Sequence, residues 1–183
     1  MQDSIWFRTL PRELRDSLQK SDELPTEAEV VIVGAGMIGL LTAYYLIEAG
    51  AEDICIVDRG SVLGEASGAN AGGLWFSQQS SKMGLLSSLV KKTSKLYEEL
   101  GERFDFDLCR PGVLQLFFTA KEATQRTSTV AAVRKAGFRA ESVSPKQVRE
   151  LEPALGQNTR GAVYYPNDGR LHPGLLAGNL ARY

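Results

Sequence analysis

The chain of 183 residues is long enough to bury one sizeable core and part of a second. A hydrophobic content of 43%, a charged content of 23% and a formal net charge of −1 give no electrostatic case for binding nucleic acid or an anionic membrane. No apolar run approaches the ~20 residues that cross a bilayer, and the N-terminus lacks the basic start and apolar core of a secretory leader.

Residues 1–28 read as an N-terminal extension. Leu10, Leu14 and Leu18 recur at helical spacing, and Pro11 suits a first turn. The pattern predicts a surface helix anchored by Trp6 and Phe7 in preference to a dedicated binding arm. Ser21 to Pro25 reads as a linker.

From Glu29 to Arg59 the sequence is EVVIVGAGMIGLLTAYYLIEAGAEDICIVDR. Val30–Val33 is a β-branched run, a helix-like segment ends at Gly50, and a second such run, Ile54–Val57, stops at Asp58. This is a β-α-β unit with Gly34-Ala-Gly36-Met-Ile-Gly39 at its first turn. Gly34 lets the strand turn tightly into the helix. Gly36 lets a pyrophosphate approach the unpaired N–H groups of the helix start. Gly39, with Ala43 one turn on, keeps the helix close to the strand. Asp58 follows Gly39 by 19 residues, where a carboxylate can accept from both ribose hydroxyls. Together these features predict dinucleotide binding, with FAD and NAD both open at this point.

The stretch Gly60–Gly73 is rich in glycine, alanine and serine, so a bound molecule can come close to its backbone. Ser67 and Asn70 offer side-chain bonds to such a molecule. Lys82–Leu100 carries a helical apolar stripe that ends at Gly101. Residues 104–119 alternate around Arg110-Pro111-Gly112, which predicts a hairpin or a pair of strands. A helix is expected over Lys121–Lys135, a strand over Phe138–Val143, and a short helix over Ser144–Leu151 with proline in its first turn. A strand over 161–165 precedes a turn at Asp168-Gly169, and a last helix starts near Pro173.

His172 is the only histidine. Its Leu-His-Pro setting favours a turn or capping role over a catalytic base. Arg110 reads as a surface arginine, and Tyr164 and Tyr165 as strand residues. Cys55 and Cys109 form no metal-binding or disulfide pattern, which suits reduced thiols in a cytoplasmic setting. Only 30–33 and 54–57 look like buried parallel strands; the others alternate as antiparallel ones do. The expectation is the first part of a longer fold, completed by further chain or by a partner.

The order GAGMIG, VDR, GEASGANAGGL, RPGVLQLFF and LEPAL…GAVYYPNDGRLHP resembles the amino-terminal half of the D-amino-acid-oxidase-type FAD oxidoreductases, which include glycine oxidase, sarcosine oxidase and D-amino-acid dehydrogenases. The resemblance covers roughly residues 29–183. It implies an α/β fold: a Rossmann-like FAD-binding β-α-β unit with the start of an antiparallel-sheet substrate domain. The expected division is an extension over 1–28, the first part of the FAD domain over 29–103, a substrate-domain segment over 104–172, and the start of a return to the FAD domain over 173–183.

By position, the resemblance places Gly34, Gly36, Met37, Ile38 and Gly39 in the pyrophosphate loop. Asp58 and Arg59 fall at the ribose-binding strand end, where many members have glutamate. Ala66, Ser67, Asn70, Ala71, Gly72 and Gly73 match the loop that passes the pyrophosphate and the flavin ring. Some relatives attach the flavin covalently through a histidine in that loop; none is present here, so noncovalent FAD is implied. The implied reaction is oxidation of an amino-acid or amine C–N bond by hydride transfer to the flavin. The substrate-gripping arginine is expected beyond Tyr183, so no catalytic residue is named within 1–183. Two alternatives stand beside this one: an inactive remnant or partner-completed FAD-binding subunit, and an NAD-dependent dehydrogenase, against which the 63–73 loop weighs.

Overall fold

The computed structural model describes residues 4–19, 23–80, 87–156 and 158–183. Two expectations fall partly outside them: Ser21 and Asp22 of the linker, and Lys82–Leu86 of the long helix. In chain order the elements are α1 (Ile5–Arg8), α2 (Arg12–Ser17), β1 (Val30–Val33), α3 (Met37–Glu48), β2 (Ile54–Val57), a 3-10 turn (Ala66–Gly68), β3 (Gly73–Leu74), α4 (Phe76–Ser80) and α5 (Ser87–Arg103). There follow β4 (Val113–Leu116), α6 (Ala120–Thr124), α7 (Arg126–Lys135), β5 (Glu141–Val143), α8 (Pro145–Leu151), β6 (Ala162–Tyr165), β7 (Gly169–Arg170) and α9 (Pro173–Arg182). No helix among the described residues is long and apolar enough to cross a membrane.

Two compact units result, and both are discontinuous in sequence. One comprises 1–72, 101–108 and 171–183; the other comprises 73–100 and 109–170.

In the first unit β1 and β2 pair in parallel, Val30 opposite Ile54 through Val33 opposite Val57. A crossover helix is the usual way to join parallel strands, and α3 provides it. Its Leu40, Ala43 and Tyr44 are buried. The sheet does not bury both faces, as the apolar runs led us to expect: Val31 is 56% and Val33 86% exposed. Alternate side chains of a strand point to opposite faces, and α3 covers only the face that carries Ile32. On α9, Leu176, Ala177 and Leu180 are buried. The spaced leucines of the extension, Leu10, Leu14 and Leu18, are buried as well, and Leu14 lies against Gly178.

His172 is the N-cap of α9, and its Nδ1 accepts from the Leu175 N–H at 3.1 Å. A nitrogen that accepts carries no proton, so Nε2 bears it and donates to Thr9 Oγ1 at 2.8 Å. The Thr9 hydroxyl in turn donates to the Ile5 carbonyl. Of the turn or capping role expected for this histidine, capping is the one observed.

In the second unit β4, β6 and β5 form an antiparallel sheet in that order. The hairpin expected within 104–119 is absent: β4 pairs instead with β6, Val113 opposite Tyr165. Pro111 removes a donor and Gly112 adopts a φ of 87°, so the chain turns there without a ladder. The expected helix over 121–135 divides into α6 and α7 at Gln125. Val130 and Val133 of α7 pack with Phe117, Ala140, Val163 and Tyr165; Val148 of α8 packs with Val143 and Ala162. Capping boxes at Thr119/Glu122 and Ser144/Gln147 start α6 and α8.

Arg110 is not the surface residue expected. Its side chain is only 19% exposed and pairs with Glu98. It also donates to the Ser94 hydroxyl and carbonyl and to the Asn167 carbonyl. The turn at Pro111-Gly112 folds it back onto α5. Asp168 is buried beyond its turn role: its carboxylate accepts from the Ser77 and Gln78 N–H groups at 2.7 and 3.2 Å. Burial pushes its pKa up against those bonds.

Burial holds the His172 imidazole below its ordinary 6.5, with Asp107 pulling weakly the other way. The folded state then binds fewer protons here than the unfolded state. Its contribution to stability is complete above pH 6.5 and is lost as pH falls below that value. We expect the urea midpoint of the first unit, followed by Trp6 emission in a Trp75→Phe background, to fall between about pH 7.5 and about pH 5.5. In His172→Asn, which keeps an acceptor for the Leu175 N–H, the fall should be smaller; an equal fall would mean that other groups carry it.

Candidate functional site

The site is built where β1 runs into α3. Gly34 adopts a φ of 111°, a conformation that disfavours any other residue, and its N–H donates to the Val57 carbonyl at 2.7 Å. A β-carbon on Gly39 would collide with the Gly34 carbonyl group. The turn can therefore be this tight only with glycine at both positions.

Gly36 is the N-cap of α3, in extended conformation. The first intrahelical bond runs from the Leu40 N–H to the Gly36 carbonyl at 3.1 Å. The Met37, Ile38 and Gly39 N–H groups precede it and have no partner within the helix. No acidic residue occupies the first turn, so nothing on the helix itself offsets the positive end of its dipole.

Ser67 comes across from the 3-10 turn to this helix start. Its Oγ accepts from the Met37 N–H at 3.1 Å and lies 3.1 Å from where a β-carbon on Gly36 would stand. Thus Gly36 and Met37 meet Ser67, although 30 residues separate Met37 from Ser67. Asn70 folds its own loop: its Oδ1 accepts from the Gly72 N–H, and its Nδ2 donates to the Ser67 carbonyl at 2.6 Å. Leu63 N–H donates to the Ala35 carbonyl at 3.0 Å and ties the approach to this loop to the first turn.

Asp58, at the end of β2, is exposed. Its two carboxylate oxygens accept from the Ala35 N–H at 2.8 Å and the Gly60 N–H at 2.7 Å. Those backbone bonds hold the carboxyl below its ordinary value. A carboxylate has about four lone-pair positions, so two stay open for hydroxyl donors. Arg59 turns to Glu65 in an exposed pair at 3.0 Å, and no bond joins it to the glycine turn. A cavity of about 610 Å³ opens beside β2, with Ala35, Asp58, Gly60 and Val62 among its lining residues.

Of the residues expected at the site, Gly34, Gly36, Met37, Ile38, Gly39, Asp58 and Arg59, and Ala66, Ser67, Asn70, Ala71 and Gly72, lie in one compact unit. Gly73 begins β3 in the other unit, opposite Arg170 of β7. Sequence reasoning missed Ala35 and Gly60, whose N–H groups hold the acid. The only signal for either was adjacency to a motif residue.

A nucleotide pyrophosphate fits this donor set: uncommitted N–H groups at a helix start, and a hydroxyl beside them that the bare Gly36 backbone lets in. Comparison with known proteins gives the family. A family model described as "FAD dependent oxidoreductase" (DAO) matches residues 29–183. The chain is 32% identical over 155 residues to the sarcosine oxidase subunit beta of Arthrobacter sp, covering 77% of this chain and 36% of that protein. It is 30% identical over 148 residues to the mitochondrial pyruvate dehydrogenase phosphatase regulatory subunit of Mus musculus, covering 79% and 16% respectively. Among solved structures, glycine oxidase from Geobacillus kaustophilus superposes with a TM-score of 0.78 at 28% identity, covering 84% of this chain and 43% of that one. The chain thus spans less than half the length of each of these relatives.

Because its folded pKa is depressed, Asp58 stabilises the turn fully above 3.8, and that contribution is lost as pH falls through the folded value. Asp58→Asn should unfold at lower urea than the parent at neutral pH, and the gap should close in acid. A gap independent of pH would show that the carboxylate charge is not what holds Ala35 and Gly60.

Proposed function

The chain belongs to the FAD dependent oxidoreductase family, and on that premise we propose that it is the FAD-binding amino-terminal part of an enzyme that oxidises the C–N bond of an amino acid or secondary amine. The observation that carries the reading is the meeting of the Ser67 hydroxyl with the α3 start. It brings the second loop and the glycine turn to one place, as a pyrophosphate requires.

In this reading the Ile38 and Gly39 N–H groups and the Ser67 hydroxyl bind the pyrophosphate, and Gly36 lets that hydroxyl reach the helix start. Asp58 accepts from the ribose hydroxyls while it keeps its bonds to Ala35 and Gly60. No histidine lies in the 60–73 loop, so the cofactor is held noncovalently. FAD, when bound, accepts a hydride from the carbon next to the substrate nitrogen. The substrate-gripping groups are assigned to the part of the relatives that this chain does not span.

A second reading draws on the likeness to a protein named as a regulatory subunit. In it the chain binds FAD as a subunit and catalyses nothing by itself. Amine-dependent reduction of the bound flavin, measured with the part of the fold that this chain does not span also present, separates the two. NAD is disfavoured, since a second small-residue loop beside the pyrophosphate suits a longer cofactor reaching past the helix start.

The purified full chain should take up FAD and show flavin absorbance bands, with no comparable uptake of NADH. Asp58→Ala should raise the FAD Kd by about 10- to 100-fold, the effect of losing a charged hydrogen-bond acceptor. A chain that stays colourless with added FAD, or an unchanged Kd in the variant, would overturn the assignment.

A further inference from the structure

The extension lies outside the residues matched by the family model, which begin at 29. It nevertheless bonds to the loop that bears Ser67. Ser4 Oγ donates to the Gly68 carbonyl at 2.7 Å, and Trp6 Nε1 donates to the Asn70 carbonyl at 2.7 Å. The indole ring lies 3.3 Å from where a β-carbon on Gly72 would stand. The indole and the His172 ring meet edge-on with their centroids 4.9 Å apart, and Thr9 bonds Nε2 of that histidine. Gly68 and Asn70 are therefore each bonded to the extension, and Gly72 lies beside its indole.

Burial of Leu10, Leu14 and Leu18 and the bond from Ser17 Oγ to the Gly178 carbonyl already dock the extension. The bonds from Ser4 and Trp6 are additional and go to the loop alone. A short relay continues from them. Trp6 holds the Asn70 backbone, the Asn70 amide holds the Ser67 carbonyl, and the Ser67 hydroxyl meets the Met37 N–H. A trans peptide sets its C=O and N–H antiparallel, so tying the Asn70 carbonyl to the indole turns the Ala71 N–H away from the extension.

We propose that residues 4–18 are a positioning clasp for the 66–72 loop, with Trp6 and Ser4 as its positioning residues, and that the clasp sets how tightly the chain holds FAD. The inference rests on the FAD reading above. Opening the clasp frees the loop backbone, and FAD binding must then order it again at an entropic cost. Coupling of this kind is reciprocal: if the closed clasp tightens FAD, bound FAD closes the clasp by the same factor.

The test uses the full chain, with FAD affinity read from flavin fluorescence and clasp opening from amide hydrogen exchange. Trp6→Ala should raise the FAD Kd about tenfold. Trp6→Phe, which keeps a ring but loses the N–H, should raise it about threefold, as should Ser4→Ala, a change too small to unfold the chain. Saturating FAD should slow exchange at the Leu10, Arg15 and Leu18 amides about tenfold. A merely structural extension would leave that exchange unmoved by FAD. If the parent binds FAD and Asp58→Ala weakens it, but the Trp6 and Ser4 variants keep the parent Kd or FAD leaves the exchange unchanged, the clasp is overturned and the FAD reading stands. A parent chain that takes up no FAD removes both.

Discussion

The Asp58 carboxylate, bonded to the Ala35 and Gly60 N–H groups, joins the end of β2 to the turn that follows β1. These are the two strand ends of a parallel pair, and the carboxylate spans them with charged acceptors. The turn it holds is already narrow, because Gly34 and Gly39 touch with no side chain between them. With the turn fixed, the first N–H groups of α3 face one point in space. Ser67 reaches the same point, and so the cradle is formed by the chain's own bonds.

The two compact units differ in how far each closes on itself. The three-stranded antiparallel sheet of one has α7 and α8 on its apolar side chains, and capping boxes start α6 and α8. The parallel pair of the other has α3 on one face and exposed valines on the opposite one. Parallel sheets are ordinarily covered on both faces.

The extension adds a layer that the family match does not include. Its leucines give it apolar contact with α9, where Gly174 and Gly178 bring the backbones close. Its polar side chains reach the 66–72 loop and the histidine cap of α9. One imidazole thus serves two purposes: it caps α9 with Nδ1 and anchors Thr9 with Nε2. Neutral imidazole is the only form that can do both.

The sequence alone determined what depends on neighbours along the chain. The β-α-β unit was legible because its β-branched runs, its glycine spacing and the acid after the second strand are all local signals. So were the α8 start at Ser144-Pro145 and the capping role of His172, since caps involve residues three or four apart. The family resemblance rested on the same local motifs. Tertiary structure decided everything that pairs distant residues. No periodicity could match β4 with β6, some 50 residues on, against a hairpin that alternation favoured equally. Nothing near Arg110 revealed that Pro111-Gly112 would fold it onto Ser94, nor that Trp6 would meet Asn70. An apolar strand reads the same whether one face or both are covered, so the exposure of Val31 and Val33 was also left to the fold. Local propensity acts over a few residues; which surfaces then meet is set by the burial and hydrogen bonding of the whole chain.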